Sequence, residues 1–285
     1  MKRSFAIWTL VTLAMGIAAA WFHSTCQYAL RSGWDSDIIR QWVVSRYIAA
    51  RLDPWRLSLT TLENNFGKAT DDNRARLRNI RLYEVHPDLD TRGIKGILPE
   101  LGPPTAVFPP PGTIMLSLCI GAIPEKSVLA AWLSVNAVFT FLLLVLLVKY
   151  MINVLPQGDN IVVEISAVMA SLLFLWPPLH EAFRQGQFSI VTTAILVGSL
   201  ISMDRSPMWS GVLLGVALFK PSMILPFMII PLIRKQWMSL AVASSIQVGG
   251  LLIAGLWVHE SPVHLVLDWL HIAPYMFQGA YTVQE

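Results

Sequence analysis

Carboxylates and cations are rare in this sequence, yet several stand together just after its first apolar run. Asp35 and Asp37 precede a stretch in which Arg40, Arg46 and Arg51 alternate with aliphatic and aromatic residues. A carboxylate within hydrogen-bond reach of a hydroxyl can remove its proton, so either aspartate is a candidate general base. Their alternative interpretation is structural, because aspartates at this place also cap a helix or complement its dipole.

Three further polar residues lie between or within apolar runs. Lys220 stands directly before Pro221 in an apolar segment, where a cation could stabilise negative charge on a leaving group. Its alternative interpretation is snorkelling of the ammonium group toward an interface. Arg184 and Gln187 follow His180 in a polar turn. They could bind a polar ligand, or they could serve solvation and helix capping.

The composition indicates a membrane protein. Only 14% of the 285 residues are charged and 54% are hydrophobic, whereas soluble domains carry about a quarter charged residues. The net charge of +3 is spread over separated loops, which indicates orientation in a bilayer and no nucleic-acid partner. Neither Cys26 with Cys119 nor His86, Asp88 and Asp90 form a convincing coordination set, so the sequence predicts no metal site.

Apolar runs predict an all-α fold, a polytopic transmembrane helical bundle forming one domain over residues 1–285. The first run, residues 5–22, is about long enough to cross the ~30 Å hydrocarbon layer and is interpreted as an uncleaved helix. The other runs are residues 107–123, 128–148, 161–179, 188–203, 209–233 and 238–258.

The basic residues near helix ends predict the topology, because such residues tend to remain cytoplasmic. This rule places residues 23–126, as a long first loop, and the C-terminal segment 259–285 on the extracytoplasmic face, with the further spans in 127–258. It requires residues 107–123 to be shallow or re-entrant, as their prolines indicate, and 209–233 to break near Lys220-Pro221. Residues 38–52 predict a membrane-surface helix that Asp53-Pro54 ends.

An ordered series of motifs resembles the pattern of glycosyltransferase family 87, the polyprenyl-phosphate-sugar-dependent mannosyltransferases of the GT-C fold. The spacing in that pattern selects Asp37 over Asp35, and Arg51-Leu52 stands where it usually has a glycine before Asp-Pro. The matching motifs are Asp37, Tyr47, Ala49-Ala50 and Asp53-Pro54-Trp55, then Phe108-Pro109-Pro110, Ala130-Ala131-Trp132 with Asn136, Pro177-Pro178 leading to Gly186-Gln187, Ser210 to Gly215, Lys220-Pro221, and Arg234 to Trp237.

The resemblance implies a GT-C-type bundle with a long first extracytoplasmic loop. It implies transfer of a hexose, with mannose first, from a polyprenyl-phosphate-linked donor to a lipid-linked or cell-envelope glycan, with inversion. In this scheme Asp37 is the general base and Asp35 the second catalytic candidate. The substrate-binding candidates are Lys220, Arg184, Gln187 and Arg40. We expect a multi-pass protein of the bacterial plasma membrane, surrounded by membrane lipids, with an extracytoplasmic active face.

Two other functions compete with this one. Family members continue through several further helices, so the resemblance also implies a separate polypeptide that supplies them, or an inactive, truncated transferase that acts as a membrane scaffold. A lipid or solute transporter would likewise need broken helices and intramembrane charge. It would also be expected to show paired repeats and more polar residues within the spans, and the sequence shows neither.

Overall fold

The structure, a computed structural model, describes residues 2–31, 37–49, 51–56, 108–154 and 159–278. Every regular element in these ranges is helical, which confirms the predicted all-α class. The helices are α1 Lys2–Arg31, α2 Asp37–Ala49, α3 Pro110–Ile120, α4 Glu125–Val154, α5 Asp159–Phe174, α6 Pro177–Arg184, α7 Ser189–Ser202, α8 Pro207–Ala217, α9 Pro221–Ile224, a 3-10 turn Leu225–Met228, α10 Ile229–Ile233, α11 Trp237–Val258 and α12 Pro262–Gln278.

Two helices in the described ranges are long and apolar enough to cross a membrane, Ser127–Ile152 and Trp237–Val258. A third candidate span is the pair Glu164–Phe174 and Pro177–Arg184, which is bent by 48°. The sequence predicts one continuous run at this place, but Pro177 and Pro178 lack backbone N–H groups and restart the helix. The chain is an all-α membrane protein. Whether residues 5–22 of α1 cross the bilayer stays a prediction.

Helix α3 is short. It has 11 residues, about 16 Å at ~1.5 Å per residue, which is too short to cross a ~30 Å layer. Pro109 precedes it, and Pro110 and Pro111 occupy its first turn, where missing N–H groups cost no helical hydrogen bond. This length agrees with the predicted shallow segment, whose depth in a membrane stays a prediction.

The helices form two compact units. The first comprises Met1–Ile39, Glu125–Ala217 and Ser222–Ala243. Its core contains Ala29 of α1, Leu133 of α4, three residues of α6 and Ile190 at the start of α7. The Phe22 and Phe183 rings meet edge-on, with their centroids 4.6 Å apart. Helix α6 is amphipathic: Leu179, His180, Ala182 and Phe183 are buried, whereas Pro177 and Arg184 are exposed. Burial of this face holds the turn after α6 in place.

The second unit comprises Arg40–Pro124, Leu218–Pro221 and Ser244–Glu285. Side chains of α2, α3, α11 and α12 share its core, which is centred on the fully buried Trp55. Two side chains of α2 also bind the carbonyls after α3: the Trp42 indole donates to the Ile123 oxygen at 2.8 Å, and the Arg46 guanidinium to the Gly121 oxygen at 3.2 Å. These bonds satisfy carbonyls that a helix end leaves without helical partners.

Within the described ranges, three helices are followed by a left-handed residue that is not glycine. Arg51, Lys235 and His259 have φ angles of 59°, 54° and 59°. In each case the next residue donates its N–H back into the last helical turn, with partners Tyr47, Pro231 and Gly255. This closure normally favours glycine, because a Cβ atom makes the left-handed conformation unfavourable. It also explains why α2 ends at Ala49, before the predicted stop at Asp53-Pro54.

Replacing Arg51 tests this backbone strain. Its guanidinium lies 5.5 Å from the centre of the Trp257 ring and 3.3 Å from His259 Nε2. Arg51→Ala and Arg51→Gly both remove these contacts, but only glycine relieves the positive φ. We expect Arg51→Gly to exceed Arg51→Ala in unfolding free energy by about 1 kcal/mol, measured by denaturant unfolding in one detergent.

Arg205 provides the matched control, because it is exposed and its φ is not positive. At that position glycine should be the less stable of the two variants, because it adds backbone entropy to the unfolded chain. Equal stabilities for the two Arg51 variants would contradict the strain argument.

Candidate functional site

The predicted general base stands at a helix start. Asp37 is the first residue of α2, a place that suits both a catalytic and a capping carboxylate. The side chains of Asp37 and Arg40, and all of Asp35, lie outside the described part of the structure. Their roles therefore stay predictions.

The predicted break beside Lys220 is confirmed. Helix α8 ends at Ala217, a turn covers Leu218 to Lys220, and Pro221 opens the next helix. Lys220 is half-buried, whereas the preceding Phe219 is only 4% exposed. The turn thus holds an ammonium group beside a buried aromatic ring at an interruption in an apolar segment.

The structure brings three separate motifs together in the second unit. The Trp55 indole Nε1 donates to the Phe108 carbonyl at 3.2 Å. The Phe108 ring meets the Phe219 ring edge-on, with centroids 5.8 Å apart. We call this group, Asp53, Trp55, Phe108, Phe219 and Lys220, the motif junction. It links Asp-Pro-Trp, Phe-Pro-Pro and Lys-Pro into one continuous contact path.

A glycine makes the last contact possible. A Cβ atom built on Gly112, in the first turn of α3, would lie 2.9 Å from the Cα, Cβ and carbonyl oxygen of Phe219. Real Cβ atoms do not approach backbone so closely. Gly112 therefore lets α3 pack directly against the turn that carries Lys220.

Asp53 is the functional candidate that sequence reasoning missed, since it was interpreted as a helix stop and as part of the family-like Asp-Pro-Trp motif, with no catalytic or binding role. Its Oδ1 accepts the N–H groups of Trp55 at 2.9 Å and Arg56 at 3.1 Å, which is the geometry of a helix cap. Its Oδ2 is buried and has no hydrogen-bond partner among the described residues. The signal for it was its place in the Asp-Pro-Trp motif.

The surroundings of Asp53 favour its protonated form. Burial raises the pKa of Asp53 from an ordinary 3.8 to about 6, although the two backbone hydrogen bonds from Arg56 and Trp55 act in the opposite direction. The negative charges of Asp268 and Glu260 raise the pKa further. Glu260 is itself paired with the exposed Arg56 guanidinium at 2.9 Å. The motif junction therefore contains a carboxyl group that titrates near neutral pH.

The two predicted ligands on the α6–α7 turn belong to the first unit. Arg184 is half-exposed, lies 5.1 Å over the Tyr28 ring and pairs with Glu181 at 3.3 Å. The Gln187 amide donates to Gln185, and its oxygen accepts from the Ser189 hydroxyl at 3.2 Å. Arg184 is thus held by contacts with α1 and α6, and Gln187 by neighbours on its own turn. Their convergence with Asp37 and Lys220 stays a prediction.

His180 has a structural environment. It is 5% exposed, its ring stacks on Trp21 at 3.9 Å, and its Nε2 lies 2.7 Å from the Phe174 carbonyl. A carbonyl can only accept, so Nε2 carries the hydrogen. Nδ1 lies 2.9 Å from the Thr25 hydroxyl oxygen, which also donates to the Trp21 carbonyl at 3.0 Å. His180 therefore joins α6 to α1 and to the end of α5.

The weak metal candidates His86, Asp88 and Asp90 lie outside the described residues. Among the residues that are described, no group of three or more His, Cys, Asp or Glu side chains could hold a metal ion.

Substituting Asp53 tests its raised pKa. Between pH 3.8 and about pH 6, the Asp53 carboxyl group keeps its proton in the folded state and has released it in the unfolded state. The unfolding free energy should therefore fall as the pH rises through this interval, by up to about 3 kcal/mol. Asp53→Asn keeps the capping oxygen but cannot titrate, so it should lose this pH dependence and exceed the parent in stability above about pH 6.

The measurement is denaturant unfolding in detergent at a series of pH values, with Asp204→Asn as the control at an exposed aspartate. An identical pH dependence in the parent and Asp53→Asn would rule out a raised pKa for Asp53.

Comparison with known proteins identifies the family. The sequence profile of glycosyltransferase family 87 matches residues 107–284, which is more than half of the chain. The match includes the Phe-Pro-Pro and Lys-Pro parts of the motif junction, whereas the segment with Asp37 and Asp53 precedes it. No curated protein and no solved structure matches the chain. Together with its apolar helices, this match shows that the chain is a membrane glycosyltransferase belonging to glycosyltransferase family 87.

Proposed function

We propose that this chain transfers a hexose, with mannose as the first candidate, from a polyprenyl-phosphate-linked donor to a lipid-linked or cell-envelope glycan. Family membership supports transfer of a sugar to an acceptor. The observation that carries the proposal is the motif junction, where three family-like motifs meet around the Lys220 turn.

The chemistry follows from the donor. The acceptor hydroxyl attacks the anomeric carbon, and the Asp37 carboxylate takes the hydroxyl proton as the new C–O bond forms. The bond between that carbon and the phosphate oxygen breaks, and the phosphate leaves with the bonding electrons. Because a phosphate is already a weak base, it needs no general acid, unlike the leaving group in glycoside hydrolysis. Direct displacement inverts the anomeric configuration.

Cations bind the phosphate in this proposal. Lys220 stabilises the charge that develops on the leaving group, and such stabilisation is strongest where water is excluded. Arg40 and Arg184 assist with the phosphate, Gln187 binds sugar or acceptor hydroxyls, and Asp35 is the second candidate base. The half-buried position of Lys220 beside Phe219 supports its role.

The proposed location is the bacterial plasma membrane, with the active face extracytoplasmic. The charge distribution of the short loops supports this orientation. A long isoprenoid donor would reach the site from the surrounding membrane lipids. A transporter has no specific support, because the family match is to transferases.

Asp37→Asn separates catalysis from helix capping. Asparagine caps a helix about as well as aspartate but is no general base. We expect sugar transfer to fall by about 10²–10⁴-fold with the unfolding midpoint unchanged. The assay follows radiolabel from polyprenyl-phospho-mannose in membranes with matched expression, beside Asp204→Asn as an exposed control. Full activity in Asp37→Asn would leave capping as its role.

Lys220→Met tests the phosphate partner. Methionine keeps an unbranched apolar stem and removes the charge, so any snorkelling contribution of the stem is retained. We expect kcat/KM for the donor to fall by about 100-fold. Lys149→Met, at an exposed position of α4, should leave it unchanged. If both the Asp37 and the Lys220 variants keep full sugar transfer, the proposed site is refuted. If the parent transfers no sugar at any donor concentration, the result favours a membrane scaffold or a need for a separate polypeptide.

A further inference from the structure

Two buried side chains of α4 each have one polar atom without a hydrogen-bond partner in the described structure. Trp132 is 6% exposed and its Nε1 is unpaired, and Asn136 is fully buried and its Oδ1 is unpaired. They are four residues apart, so they lie one turn apart on the same face of the helix. The helix thus presents one free donor and one free acceptor at neighbouring positions.

Both side chains face the α6–α7 turn. The Asn136 amide nitrogen donates to the Gln187 carbonyl at 3.4 Å, and the Trp132 ring lies 4.3 Å from the Phe188 ring. The turn is held by the left-handed Gly186, with a φ of 62°, and by the bond from Gln187 N–H to the Ala182 carbonyl at 2.8 Å. The two residues that carry the unpaired atoms therefore contact the turn on which the predicted ligand Gln187 lies.

The amide orientation of Asn136 is determined by its partner. A carbonyl can only accept, so the nitrogen of the amide must face Gln187, and the oxygen is left as the unpaired atom. An indole N–H can only donate. Neighbouring hydroxyl groups already have partners. The Thr140 hydroxyl donates to the backbone carbonyl of Asn136, and the Thr192 hydroxyl donates to the backbone carbonyl of Phe188.

The chemistry of this pair selects its ligand. A hydroxyl group can accept from Trp132 Nε1 and donate to Asn136 Oδ1 at the same time. A carboxylate or phosphate would meet the Asn136 oxygen as a second acceptor, and an ammonium group would meet the Trp132 hydrogen as a second donor. An apolar group would leave both atoms unsatisfied, which is costly in a buried site.

We propose that Trp132 and Asn136 form a subsite for one hydroxyl group of the carbohydrate substrate. This inference rests on the proposed function, because sugar transfer requires a polyhydroxylated ligand. The subsite determines specificity: a sugar that lacks the matching hydroxyl leaves a buried donor and a buried acceptor unpaired, and the site discriminates against it. The hydroxyl belongs either to the donor sugar or to the acceptor glycan, and the two sources are separable by experiment.

The test combines deoxy sugars with Trp132→Phe, which removes the indole N–H and retains an aromatic ring beside Phe188. Dissociation constants are measured for the purified protein with polyprenyl-phospho-mannose and its mono-deoxy analogues, and in parallel with an acceptor glycan and its deoxy analogues. We expect one deoxy compound to bind the parent about 10-fold more weakly than the intact one. In Trp132→Phe that difference should shrink to about two-fold or less. The series in which it occurs identifies the source of the hydroxyl.

Trp209→Phe is the control, because Trp209 is exposed at the start of α8. It should keep the parent's discrimination. Identical discrimination in the parent and Trp132→Phe would overturn the subsite and assign the unpaired atoms to a buried water. A parent that binds no carbohydrate would overturn it as well. Because binding is measured without turnover, a parent that binds and discriminates but transfers nothing would count against the proposed function of this chain acting alone and leave the subsite supported.

Discussion

The hydrogen bond from the Trp55 indole to the Phe108 carbonyl connects two motifs that are 53 positions apart in the chain. Trp55 is fully buried, so its N–H group would carry a desolvation cost without this partner. Phe108 then contacts Phe219, whose neighbour is Lys220. The placement of Lys220 thus depends on the hydrogen bond made by Trp55, a residue far away in the sequence. The motif junction requires both this bond and the contact between Phe108 and Phe219.

Unsatisfied polar atoms set a few residues apart from the other buried polar residues of the described ranges. Most buried hydroxyls bond to a carbonyl one turn back, as Thr113, Thr140 and Thr192 do. This pattern suits apolar helices, where no water is present to satisfy a polar group. In the described ranges only Asp53, Trp132 and Asn136 keep buried polar side-chain atoms without partners. All three belong to family-like motifs. Many residues are buried, so an unmade hydrogen bond singles out candidate site residues better than burial alone does.

The helix ends show the limits of local prediction. Proline signals at Pro110 and Pro221 were sufficient to predict a helix break, because a missing N–H acts through the residue itself. The restart at Pro177 was not predicted, since residues 161–179 were interpreted as one continuous apolar run. The end of α2 was predicted too late, since Arg51 carries no local sign that it will adopt a positive φ. Its neighbours in the second unit, Trp257 and His259, contribute contacts that local propensity does not include.

Hydropathy and motif order, which are properties of the chain alone, were enough to predict the membrane class, the all-α fold, the approximate helix positions and the family. Tertiary packing was needed to show that Asp53 is buried with a raised pKa, that His180 links α6 to α1 and α5, and that Trp132 and Asn136 face the Gln187 turn. These properties depend on which groups exclude water from a side chain and which supply its hydrogen bonds. Those groups come from distant helices, and their approach is settled by packing.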